Sequence, residues 1–148
     1  MNLFQENINY NLNIYINSFL HSRFINFLRE NIDKPLQWRR ISRNSNISMD
    51  MIRENPDLHW NWGGISCNEN LTMDMILNNL AKDWKWGNIS SNPNITMDMI
   101  RENPDLPWSW DCISMNPNLT IDMILDNPAE NWDWDRISMN PFNGKTKY

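Results

Sequence analysis

The sequence predicts an all-α fold: an α-solenoid built from 24-residue repeats of two helices each. Three observations lead to this prediction. Residues recur at one fixed interval, cap and turn residues recur at fixed offsets within it, and the helical segments are too short to be stable alone. Stability must therefore come from the stacking of one repeat on the next.

The interval of 24 residues is visible in several columns of identical residues. The pair Ile-Ser begins at 41, 65, 89, 113 and 137, and an Asn stands at 44, 68, 92, 116 and 140. One unit, starting at residue 92, reads NPNITMDMIRENPDLPWSWDCISM. Four units occupy 44–139. We expect residues 1–43 to form N-terminal capping helices and a first half-repeat, and 140–148 to form a C-terminal tail.

The first helical segment of each repeat begins at a hydroxyl residue: Ser48, Thr72, Thr96 or Thr120. Such a hydroxyl can accept a hydrogen bond from a free N–H of the first turn. The Asp two places later, Asp98 in the third repeat, suits the positive end of the helix dipole. The segment should end at Asn103, because Asn tolerates a left-handed conformation and Pro104 cannot continue a helix.

The second helical segment is expected at about 107–115. Pro107 fits a first helical position, where its missing N–H has no cost. Leu106, Trp110 and Ile113 are spaced to share one face, and Asn116 before a proline should end the helix.

Two tryptophan columns follow from a Trp-x-Trp pair in each repeat. The second column comprises Trp38, Trp62, Trp86, Trp110 and Trp134. It shares a face with Ile65, Ile89, Ile113 and Ile137. We therefore expect these tryptophans and isoleucines to form the structural core, with Trp62, Trp86 and Trp110 almost wholly buried.

The first tryptophan column comprises Trp60, Trp84, Trp108 and Trp132. A residue two places earlier lies about 200° round a helix, so this column cannot share the face of the second. It either seals one repeat against the next or forms an exposed aromatic ladder. In the second case these four tryptophans are the candidate partner-binding residues, because exposed Trp is enriched at interaction hot spots.

Charge argues against a nucleic-acid partner. The chain of 148 residues has a net charge of −5; residues 1–47 carry +3 and the remainder carries −8. An acidic repeat body repels phosphates. No stretch approaches the roughly 20 apolar residues of a membrane span, and the N-terminus does not resemble a signal peptide.

The sequence predicts neither a catalytic nor a metal site, and hence no enzyme and no cofactor. It lacks a glycine-rich phosphate loop, and its histidines stand in no recurring column. Successive members of the Asp98 column should lie about 9–10 Å apart, too far to share a calcium ion. Cys67 and Cys112 fall in different columns and are expected to be free thiols in a reducing compartment.

The unit NPNITMDMIRENPDLPWSWDCIS resembles the Trp-rich tandem repeats found in proteins of giant DNA viruses of amoebae. The function of those proteins is unknown. The resemblance covers residue 44 to about 141. It implies a viral origin and a cytoplasmic location, in the host cell or a viral factory, but no activity.

The period and the turn Ile113-Ser114-Met115-Asn116-Pro117 also resemble leucine-rich variant repeats. That family pairs an α-helix with a 3₁₀-helix in a right-handed superhelix, so the resemblance implies a right-handed solenoid. The chain departs from the family in its Trp-x-Trp pair, in the spacing of Thr120 and in lacking a cysteine cluster.

These features favour a non-enzymatic repeat scaffold that binds a protein partner of unknown identity, as a viral factor. The alternative is a structural or self-assembling virion component whose ends stack on one another. The short segment after Met139 favours such end-to-end contact, because it is too small to make a full cap.

Overall fold

The computed structural model describes residues 19–143, and every regular element in that range is an α-helix. The helices recur about every 12 residues, and no strand occurs in the described range. They are α1 (19–30), α2 (Trp38–Arg43), α3 (Met49–Glu54), α4 (Trp62–Ile65), α5 (Met73–Leu77), α6 (Trp86–Ser90), α7 (Met97–Glu102), α8 (Trp110–Ile113), α9 (Ile121–Asp126) and α10 (Trp134–Met139). The prediction of an all-α fold is confirmed for this part of the chain. The expected helices before residue 19 and the tail after residue 143 lie outside it.

The described residues divide into two compact units. The smaller unit contains 19–36 and the short segment Asn55–Leu58. Arg29 joins its two parts: the guanidinium forms an ion pair with Asp57 and donates a hydrogen bond of 2.8 Å to Oδ1 of Asn55. The hydrogen bond from Arg29 lowers the pKa of Asp57.

The larger unit contains Gln37–Glu54 and residues 59–143, and thus most of the repeats. The first helix of each repeat begins where the sequence predicts. The hydroxyls of Thr72, Thr96 and Thr120 accept hydrogen bonds from the N–H groups of Met75, Met99 and Met123. These bonds satisfy amide groups that a helix start otherwise leaves free.

The ends of these helices differ from the prediction. Asn103 has φ −131° and ψ 59°, which is not left-handed. Its carboxamide instead donates a hydrogen bond of 2.9 Å to the carbonyl of Met99, one turn back. The side chain of Asn103 thus satisfies a helix carbonyl. A left-handed backbone is not used at these helix ends, since Phe142 is the one non-glycine described residue with a positive φ.

The second helix of each repeat begins later than expected. In the third repeat it starts at Trp110 rather than at Pro107. The preceding chain is extended because the N–H of Ser109 donates to Oγ of Ser90, 19 residues earlier, at 3.0 Å. Leu106 is therefore not on the same helix as Trp110.

A ladder of buried asparagines connects successive repeats. The carboxamide of Asn92 donates to the carbonyls of Ser66 at 3.2 Å and Asn68 at 2.9 Å, while its Oδ1 accepts from the N–H of Asn94 at 2.9 Å. The same pattern recurs at Asn68, Asn116 and Asn140. Each Asn therefore shapes its own turn and holds the turn of the preceding repeat.

A second asparagine column reinforces this ladder. Asn118 donates to the carbonyls of Pro93 at 2.6 Å and Ile95 at 3.1 Å. Asn70 and Asn94 contact the preceding repeat in the same way. The Asn-x-Asn pair thus makes cross-repeat hydrogen bonds from both of its side chains.

Branched apolar side chains fill the space beside the ladder. Ile65, Ile89 and Ile113 are fully buried, and Ile137 is 8 % exposed. A second buried column consists of Ile47, Leu71, Ile95 and Leu119. Gly64 allows α4 to approach α2 closely, since a Cβ there would lie 2.5 Å from the carbonyl oxygen of Arg39.

Replacing Asn116 by Ala should lower the free energy of unfolding by about 2–4 kcal/mol, because buried carbonyls of the preceding repeat lose their donor. Chemical denaturation followed by circular dichroism measures the change. Asn46→Ala is the matched control, since the exposed Asn46 side chain makes no cross-repeat bond within the described residues. Equal stability of the two variants would refute the structural importance of the ladder.

Candidate functional site

The second tryptophan column is not the closed core that the sequence predicts. Its four isoleucine neighbours are buried as expected, but Trp38, Trp62, Trp86 and Trp110 are only partly buried. Trp134 is 63 % exposed. The core assignment of these five tryptophans is corrected accordingly.

The position of this column on its helix explains the difference. Each of these tryptophans is the first residue of its helix, so no helical turn precedes it to cover the ring. The coverage comes instead from the following repeat, where the ring meets a first-column Trp edge to face. The pairs are Trp38–Trp60, Trp62–Trp84, Trp86–Trp108 and Trp110–Trp132, with centroids 5.9, 4.8, 5.4 and 5.0 Å apart.

Trp134 is exposed and forms no such ring pair with another described residue. Met139 beside it is 78 % exposed. The last repeat therefore presents an uncovered aromatic ring at the position where earlier repeats make an aromatic pair.

The first tryptophan column, proposed from sequence as the binding ladder, is the more enclosed of the two. Trp84 and Trp132 are 6 % and 7 % exposed, and Trp60 and Trp108 are partly buried. Nε1 of Trp84 donates to the carbonyl of Asn79 at 2.9 Å, and Trp108 and Trp132 make the equivalent bonds to Asn103 and Asn127.

The expectation of an exposed ladder is therefore corrected for Trp84 and Trp132, which are buried, whereas Trp60 and Trp108 keep part of their surface accessible. It rested on a helical angle between the two columns, but Trp84 precedes the start of α6 and does not lie on the helix. Its extended position directs the ring between repeats, where it contacts Trp62. The first column seals adjacent repeats, which is the other role that the sequence allowed.

A groove of about 420 Å³ lies beside Trp110, between the third and fourth repeats. Its lining includes Leu106 and Trp108 from one repeat and Met123, Asp126 and Glu130 from the next. Of the second-column tryptophans, Trp110 is the one that lines this groove. The groove combines an aromatic ring, apolar side chains and two carboxylates.

The charged side chains of the groove are unevenly paired. Arg101, also in its lining, lies 3.2 Å from Asp98 and 3.7 Å from Asp126. No described cation lies within ion-pairing distance of Glu130. Glu130 thus contributes a negative charge to the groove that the fold itself does not balance.

A further acidic group, Asp111, follows Trp110 on its helix. The side-chain hydrogen bond from Ser109 lowers the pKa of Asp111, and the Arg136 guanidinium contributes to the same shift. Arg136 lies 3.8 Å from Asp111 and 2.9 Å from Asp133. Because Asp111, Asp133 and Arg136 are partly exposed to solvent, these ion pairs orient side chains and stabilise the fold little.

Exposed aliphatic side chains in the even-numbered repeats were not identified from the sequence. Leu77 is 42 % exposed and Leu125 is 69 % exposed. The first and third repeats carry Arg53 and Arg101 at this register. A comparison of alternate repeats, rather than of adjacent ones, would have revealed the pattern.

The described residues contain no cluster of His, Cys, Asp and Glu side chains arranged to hold a metal ion. Cys67 and Cys112 are not joined in a disulfide. No helix in the described range has both the length and the hydrophobicity to cross a lipid bilayer. The lining of the groove beside Trp110 consists of aromatic rings, apolar side chains and charged groups.

Comparisons with models of protein families, with curated proteins and with solved structures give no match.

Replacing Trp84 by Ala should lower the free energy of unfolding by about 3–5 kcal/mol, because the change removes a buried ring and its hydrogen bond. Trp134→Ala removes a ring that is already 63 % exposed and should change stability by at most about 0.5 kcal/mol. Urea denaturation of both variants tests the assignment. A larger loss at Trp134 than at Trp84 would reverse the roles given to the two columns.

Proposed function

We propose that the chain is a right-handed α-solenoid of two-helix repeats that binds a protein partner and has no enzymatic activity. The observation that carries the proposal is the partial exposure of the second tryptophan column. The column repeats at a constant interval, so it offers a partner several indole surfaces in register. Tryptophan is enriched at the energetic centres of protein interfaces.

The different structural roles of the two tryptophan columns support the proposal that the second column binds a partner. The first column provides the buried rings and hydrogen bonds that hold repeats together, as at Trp84. The second column contributes one ring surface to those pairs and leaves the rest accessible, as at Trp110. Contact with a partner there would cover apolar area without disturbing the asparagine ladder.

The charge of the repeats indicates the character of the partner. Residues 48–148 carry a net charge of −8, and Glu130 and Asp126 border the exposed part of Trp110. Such a surface repels nucleic acid and suits a protein segment with apolar and basic side chains. We further propose, from the resemblance of the repeat, that the chain is a viral factor acting in the cytoplasm of the host cell or in a viral factory.

Photo-crosslinking tests the position of the surface. A photoreactive phenylalanine derivative at Lys85 or Asp135, each adjacent to a second-column Trp, should crosslink a protein from lysate of amoebal host cells. The same group at Glu69 or Asn46 should not crosslink this protein, because both residues lie exposed in the turns that carry the Asn-x-Asn pairs. Circular dichroism establishes that all four proteins are folded. Crosslinks confined to the asparagine turns would contradict the proposal.

A self-assembling virion component is the second candidate, and the exposure of Trp134 favours it specifically. Its ring and Met139 lie uncovered where the other repeats meet a following repeat. An end-to-end contact between copies would cover them.

Light scattering over a concentration series separates the two candidates. A partner-binding scaffold should stay monomeric, whereas end-to-end assembly should raise the average mass with concentration. In that second case Trp134→Lys should return the protein to a monomer, because a charge cannot be buried in an apolar contact without a large cost. Assembly that persists in Trp134→Lys would exclude this end as the contact.

A further inference from the structure

The fold contains its own example of a cation held by a second-column tryptophan. Nζ of Lys82 lies 5.4 Å from the centroid of the Trp62 ring. Ammonium groups within about 6 Å of an indole are attracted to the negative face of the ring. Lys82 belongs to the repeat after Trp62 and stands 20 residues further along the chain.

Two repeats later, the same register carries the opposite charge. Glu130 stands 20 residues after Trp110, so it occupies the position that Lys82 has relative to Trp62. Asp126 stands at the register of Asn78. A carboxylate is not attracted to the face of an indole ring, and the structure has an open groove at Trp110, lined by Glu130 and Asp126.

We propose that the groove beside Trp110 binds a lysine side chain of the partner protein. The ammonium group would lie against the Trp110 ring, as Lys82 does at Trp62, and Glu130 would supply the opposite charge. The lysine stem would pack against apolar lining residues such as Leu106 and Met123. This inference rests on the proposed function, because it names the chemistry of the partner at that surface.

Charge within the groove selects a cation over other ligands. Arg101 directs its guanidinium toward Asp98 and Asp126, and no cation among residues 19–143 pairs with Glu130. A neutral side chain could make the apolar contacts but would leave Glu130 without an ionic partner. An acidic side chain would be repelled by Glu130. A lysine satisfies the ring and the carboxylate together.

The test uses two short peptides that differ in one charge. The peptide acetyl-Gly-Ala-Lys-Ala-Gly-amide is titrated into the full chain, and the same peptide with an ε-acetylated lysine serves as its match. Indole N–H signals in two-dimensional NMR report the contact, with Trp110→Tyr used to assign the Trp110 signal. We expect the lysine peptide to shift the Trp110 signal, with a dissociation constant on the order of 1 mM, as a single cation contact allows. The acetylated peptide should bind at least tenfold more weakly.

Glu130→Lys provides the sharper test, because it places at Trp110 the residue type that covers Trp62. The internal lysine should occupy the groove, abolish the shift caused by the peptide and leave the melting temperature unchanged or higher. Glu69→Lys changes the net charge by the same amount at an exposed turn and should retain binding. Equal binding of both peptides, or undiminished binding by Glu130→Lys, would overturn the proposal.

Lys82→Glu gives the reciprocal result. It should uncover the Trp62 ring and create a second signal that shifts with the lysine peptide. The photo-crosslinking experiment distinguishes failure of the lysine site from failure of the proposed function. A protein partner crosslinked next to the second column but captured equally by Glu130→Lys would overturn the lysine site and preserve the proposed function. Peptide binding at Trp110 without any partner crosslink on this column would contradict the proposed function alone.

Discussion

The structure depends on a buried carboxamide that must satisfy two repeats at once. Asn92 donates to carbonyls 26 and 24 residues earlier, and its oxygen accepts from a residue two places later. An Asp could not donate, and the longer side chain of Gln would displace the turn. Because the Asn is 3 % exposed, water cannot replace these bonds. The requirement fixes both the residue type and the interval between turns.

Once the ladder sets the interval, the chain between turns has little freedom. Twenty-four residues must return to the next rung, so each helix is limited to about one or two turns. The hydroxyl of Ser90 restricts the chain further, because it holds the N–H of Ser109 and delays the second helix. The second-column Trp consequently starts a helix and retains an accessible surface. Partial exposure of this column is therefore a consequence of the backbone arrangement.

The sequence predicted well those features that depend on local chemistry. Thr96 caps its helix as expected, and the isoleucine column is buried, because a hydroxyl at a helix start and a branched apolar side chain act in the same way in most contexts. It failed where a distant bond overrides the local pattern. Nothing near Pro107 shows that Ser109 is held by a serine of the preceding repeat. Because of the resulting error in the helix start, the sequence did not indicate that Trp84 and Trp132 are buried between repeats or that the second column keeps accessible surface.

The candidate surface differs chemically from one repeat to the next while the residues of the fold stay the same. The ladder and the isoleucines are the same in every repeat, whereas the residue 20 positions after a second-column Trp varies. It is Leu58 after Trp38, Lys82 after Trp62, Leu106 after Trp86 and Glu130 after Trp110. Leu58 at this position is buried, whereas Lys82 and Glu130 are exposed. Where the side chain is exposed, as at Lys82 and Glu130, exchanging it should change access to the neighbouring indole at little cost to stability. Under the proposed function, chemical differences between repeats at such positions, rather than the repeat itself, would determine which partner the chain binds.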